Sequence, residues 1–130
     1  MLFFDLLFIS KYYINQFKNT NVYVHKRTAL LEIIKFQEDK KAFRVVTDAM
    51  SDPFCKIRKI AVEGINLSNK FSKRAVIDKI KRIAQNDQKT LVRAAAIETL
   101  GKLTEPENLP IFQEALKSKF NLRHFDCHAM

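Results

Sequence analysis

The chain has 130 residues, 47% apolar and 28% charged, with two glycines and three prolines. That balance lies in the globular range, so a core can be buried, and the scarcity of glycine and proline favours helices over a many-turned β fold. Lysine and arginine outnumber aspartate and glutamate by 23 to 14, a net charge of +9, which suits either an acidic partner or a basic solvated surface. Residues 1–65 hold 11 basic and 7 acidic side chains (+4) and residues 66–130 hold 12 and 7 (+5). With no basic arm or tail, the even spread argues against nucleic acid.

The first nine residues, Met1 to Ile9, resemble a signal peptide superficially. They lack a basic leader, Asp5 interrupts the apolar run, and no small-residue cleavage site follows. They are also too few to span a bilayer. Residues 1–20 read as a lead-in segment, with the shape of a remnant of a preceding domain.

Helical patterns follow in close succession. Residues 24–36 place Leu30, Leu31, Ile33 and Ile34 on one side. Residues 39–50 do the same with Ala42, Phe43, Val45, Val46 and Ala49, and these two patterns read as the first repeating unit. Ser51-Asp52-Pro53 breaks the chain, with Asp52 as the expected N-cap and Pro53 at the first helical position. Residues 54–66 carry Ile57, Ile60, Ala61, Gly64 and Ile65 at steps of three and four. Ser72 is placed to cap the next helix, 73–85, built on Val76, Ile77, Ile80, Ile83 and Ala84. Asn86-Asp87 repeats the turn, a helix at 88–103 follows, and a last one covers 107–118 with Pro110 in its first turn. The remainder, 121–130, reads as an irregular tail.

The pattern returns on shifting by 35 residues. Ala42, Val45, Ala49 and Asp52 meet Ile77, Ile80, Ala84 and Asp87, and Ile57, Arg58, Ala61 and Ile65 meet Val92, Arg93, Ala96 and Leu100. A looser copy at a shift of 31 sets Arg27, Leu30, Glu32 and Ile34 against Arg58, Ala61, Glu63 and Ile65. Short connections force successive helices to lie antiparallel and adjacent. The expected fold is therefore all-α, an α-solenoid of about three antiparallel helix pairs over residues 21–120.

The runs from Asp52 to Ala61 and from Asp87 to Leu100 resemble HEAT repeats: a turn aspartate, an apolar residue followed by arginine, then alanine three positions on. The resemblance implies that Arg58 and Arg93 bond along the stack to turn carboxylates such as Asp52 and Asp87. A planar guanidinium can join a carboxylate to the helix end it caps. A narrower resemblance runs through Tyr12-Tyr13-Ile14-Asn15-Gln16-Phe17 to Tyr23-Val24-His25-Lys26-Arg27-Thr28-Ala29-Leu30. It is similar to the segment leading into the C-terminal HEAT-like domain of bacterial zinc aminopeptidases of the aminopeptidase N type. This implies a non-catalytic scaffold that packs on a catalytic domain and shapes substrate access, with zinc held only in that parent domain. The alternative is a free-standing HEAT module for a protein or nucleic-acid partner.

No catalytic, cofactor-binding or metal-binding residue is assigned. The histidines are His25, His124 and His128, with no His-Glu-x-x-His pattern. His124, Cys127 and His128 fall within one turn, but a structural zinc calls for a fourth ligand. The glycines, Gly64 and Gly101, sit in helical patterns, so no phosphate loop is expected. Two cysteines, Cys55 and Cys127, make no disulfide framework, and a reducing, cytoplasmic setting is favoured. The cluster Lys70, Lys73, Arg74, Lys79, Lys81 and Arg82 is the best set of phosphate contacts, yet reads as a solvated helix face. Expected partners are a parent catalytic domain or another protein, with self-association through the apolar N-terminal segment and no membrane.

Overall fold

The computed structural model describes residues 3–103 and 110–111. Six helices follow in order: α1 (Phe3–Lys18), α2 (Tyr23–Ile34), α3 (Lys40–Ala49), α4 (Cys55–Gly64), α5 (Arg74–Asn86) and α6 (Thr90–Gly101). No strand occurs among the described residues, so the chain is an α-solenoid of helix pairs. No described helix is long and apolar enough to cross a membrane.

The helices are held by apolar residues that recur at helical spacing and find a neighbour to bury them, most clearly in α3 and α5. In α3 the buried set is Ala42, Phe43, Val45, Val46 and Ala49, with Lys41, Arg44 and Asp48 exposed between them. The second helices of the pairs, α2, α4 and α6, lie side by side in one layer, and α1, α3 and α5 form the other. The core between the layers centres on Leu30, Ile33, Val46, Met50, Ile57, Val62, Ile80 and Leu100, each at most 1% exposed.

The pairing differs by one helix from the sequence expectation. The segment read as a lead-in is helical over Phe3–Lys18 and packs on α2. The pairs are thus α1/α2, α3/α4 and α5/α6, rather than 24–36 with 39–50. All connections are short, so length alone does not tell a turn within a pair from a loop between pairs. The longest, residues 65–73, lies between pairs.

Two backbone approaches fix the second-helix layer. Gly64 lets α4 close on α2, where a Cβ would collide with the Ile34 side chain. Thr99 of α6 donates its hydroxyl to the Val62 carbonyl of α4 at 2.9 Å, a fully buried bond. Ile111 is buried in the same core, but the rest of the expected 107–118 helix and the 121–130 tail lie outside the described residues.

Candidate functional site

The second helix of each pair begins in the same way. A side-chain oxygen two residues before the N-cap accepts the N-cap amide: Thr20 from Val22 at 3.1 Å, Asp52 from Phe54 at 2.9 Å, and Asp87 from Lys89 at 2.9 Å. None of these N-cap residues has a side-chain cap of its own. Asp52 therefore does not cap α4 directly, and Pro53 is not in the helix. The aspartate instead closes a turn before a helix that starts at Cys55. Ser72 is not a cap either: α5 starts after Lys73, and the Ser72 hydroxyl is buried without a partner.

Four residues after each N-cap stands a cation: Lys26, Arg58 and Arg93. Each of the first two reaches forward to the next turn. Lys26 Nζ meets Asp52 Oδ2 at 2.6 Å, and the Arg58 fork meets both Asp87 oxygens at 2.8 and 3.1 Å. Arg58 also donates to the carbonyls of Asp52 at 3.0 Å and Pro53 at 3.2 Å, tying its own turn to the following one. Arg93 binds the Asp87 carbonyl and, at 2.9 Å, the Thr90 hydroxyl. The side chains of Asp52 and Asp87 are only 6% and 7% exposed. Lys26, Asp52, Arg58, Asp87 and Arg93 thus form a structural ladder, each group spent on its neighbours.

Lys26 is the rung that sequence reasoning missed. Arg27, matched to Arg58 at a shift of 31, is exposed and makes no ion pair among the described residues. A shift of 32 would have found the register, because it aligns Lys26-x-x-Ala29 with Arg58-x-x-Ala61. One residue of slip turns a helix by about 100°, from core to solvent. Lys26 is further held between the rings of Phe17 and Phe54, 5.4 and 5.6 Å from their centroids.

A second buried network joins successive loops. Gln37, 6% exposed, donates to the carbonyls of Ile34 at 3.0 Å and Gly64 at 2.6 Å and accepts from the Asn66 amide at 2.8 Å. Asn69 binds the Gln37 carbonyl at 2.6 Å. Nearby, the Ser10 hydroxyl donates to Asp39, the N-cap of α3, at 3.1 Å. Ser10, Gln37, Asp39 and Asn66 edge a cavity of about 640 Å3 whose apolar wall includes Leu7, Ile34, Phe36 and Gly64. Its buried polar atoms already bond to the protein, so none is left to orient a ligand.

Among the described residues no cluster of histidine, cysteine, aspartate and glutamate could hold a metal. His25 is exposed on α2, and His124, Cys127 and His128 lie outside the described residues. Cys55 is disulfide-bonded, where the sparse cysteines predicted separate thiols. The cysteine count therefore no longer argues for a reducing compartment. Burial of Lys79, with its Nζ 2.9 Å from the Thr47 carbonyl, pushes its pKa below the usual lysine value; Asp48 opposes this and Arg82 adds to it.

The family model for HEAT repeats matches residues 43–123, more than half of the chain and starting within α3. No curated protein and no solved structure matches it. The first pair lies outside the matched span, and there threonine replaces the turn aspartate and lysine the ladder arginine. The turn-and-cation ladder, the layered pairs and that match together make the chain a member of the HEAT-repeat family.

Proposed function

We propose that the chain is a non-catalytic binding scaffold whose partner is a protein segment laid across the exposed face of α2 and α4. The observation that carries this reading is the apolar exposure on α2. Val24 is 60% and Leu31 40% exposed, seven residues and so about two turns apart on one side. The repeat register puts Lys56 of α4 level with Val24 and Glu63 level with Leu31, and exposed Arg27 lies between the two apolar residues. Apolar anchors bordered by Arg27 and Lys56 suit an amphipathic segment carrying acidic residues.

The reading is tested by selecting binders from a displayed peptide library against the whole chain. Enriched peptides should be apolar and acidic, and Val24→Glu/Leu31→Glu should abolish their binding while the helical circular dichroism is kept. Binders indifferent to that variant, or no enrichment, would sink the proposal. In its finer form the stack is the C-terminal scaffold of a zinc aminopeptidase, its partner being the catalytic domain. That form is supported by the Tyr12–Leu30 resemblance alone. Its test is reading the coding frame upstream for His-Glu-x-x-His.

A further inference from the structure

The cations are spread evenly along the chain but not in space. Lys26, Lys35, Arg58, Lys59 and Arg74 have carboxylate partners. A different set lines a groove of about 510 Å3 between α1 and α3. Lys11 and Lys18 stand on one wall and Lys41 and Arg44 on the other, with Asp48 as the one acid. All four cations are exposed and make no ion pair among the described residues. The Asp48 charge is shared with Lys79 of α5, which lies with Arg82 in the next hollow along the same layer. Arg44 and Lys79 occupy the same repeat position, 35 residues apart.

We propose that this groove on the α1/α3/α5 layer binds the phosphate backbone of duplex nucleic acid. The chemistry of the walls selects that ligand. Lys11 and Lys18 are seven residues apart, so about 10 Å along the helix, and neighbouring helices add about 8–10 Å per step. A field of single positive charges at those intervals meets a regularly repeated negative charge. An acidic protein partner would need apolar anchors, but the groove's apolar side chains, Ile14 and Val45, are partly and fully buried. No aromatic side chain lines it, so single-stranded bases have nothing to stack on. The even charge along the sequence argued against nucleic acid because it does not show which cations are already paired. This site lies on the layer opposite the proposed peptide face and does not depend on it.

The experiment is fluorescence anisotropy of the full chain with a labelled duplex over a salt titration. Four groove contacts give a slope of log K against log salt near −3.6, at about −0.9 per phosphate contact. Lys41→Gln/Arg44→Gln should reduce that slope by about 1.8 and weaken binding at least tenfold at low salt. Lys11→Gln/Lys18→Gln should act alike, while Arg27→Gln/Lys56→Gln on the α2/α4 face should leave binding within twofold. All these side chains are exposed, and circular dichroism confirms that each variant is folded. The proposal is overturned if the wild type fails to bind at 50 mM salt, or if the groove variants bind like the wild type. Equal loss in the α2/α4-face variant overturns it too. So does polyglutamate displacing the duplex at matched charge, which would mark a site for acidic polypeptides.

Discussion

Replacing Arg58 by alanine should be the most damaging single change in the ladder. It strips Asp87 of two charged donors at 2.8 and 3.1 Å and leaves the Asp52 and Pro53 carbonyls without theirs at 3.0 and 3.2 Å. Asp87 keeps only the Lys89 amide among the bonds its carboxylate makes here. Orphaning one member of a buried pair costs about 3–5 kcal/mol. Because the pair is 15% and 7% exposed, some screening remains, and the lower end, about 3 kcal/mol, is the better figure. At about 4 °C per kcal/mol for a chain of this size, Tm should fall by roughly 12 °C. The assay is thermal circular dichroism, with a double-mutant cycle against Asp87→Asn. Arg58→Lys, which keeps the charge but loses the fork, should fall between. A drop under about 3 °C, or a coupling energy near zero, would refute the ladder as a source of stability.

The two glycines should respond oppositely to alanine. Gly64→Ala drives a methyl into Ile34 and should cost about 1–2 kcal/mol despite better helix propensity, part of which Ile34→Val restores; Gly101→Ala meets nothing within 4 Å and should stabilise by about 0.5–1 kcal/mol. Both are read by urea denaturation, and equal effects would contradict the close approach of α4 to α2. Gln37→Leu orphans the Asn66 amide and two carbonyls and should cost about 2 kcal/mol, seen as a lower urea midpoint. Lys79 holds its proton less tightly folded than unfolded, so the unfolded chain binds more protons between its lowered folded pKa and the usual value near 10.5. Stability should therefore rise with pH through that window. The difference in unfolding free energy between wild type and Lys79→Met should shift in that sense from pH 8 to 10.5, and a flat difference would refute it.

The helical fold and the repeat were legible because they rest on spacing. Ala42, Val45 and Ala49 bury as their periodicity demanded, and Arg58 reaches Asp87 as the HEAT resemblance implied. What was not legible depended on a single residue of register or on partners distant in sequence. Lys26 was not legible because the looser copy at a shift of 31 pairs Arg27 with Arg58, one residue out of the register that Ala29 and Ala61 share. The span 3–18 was expected only as part of a lead-in segment. Its helix is stabilised by packing against α2, which no local pattern announces. Gln37 drew no expectation from the sequence, since its partners, Gly64 and Asn66, come from the next repeat. The groove between α1 and α3 is built from residues thirty positions apart, and net charge by halves cannot reveal it.

The most direct test of the scaffold reading is hydrogen-exchange mass spectrometry of the full chain, free and saturated with a selected peptide. Binding at the proposed face should slow exchange in α2 and α4, and leave α3 and α5 unchanged. Protection confined to α3 and α5, or none anywhere despite saturation, would contradict the placement of the partner on the α2/α4 face.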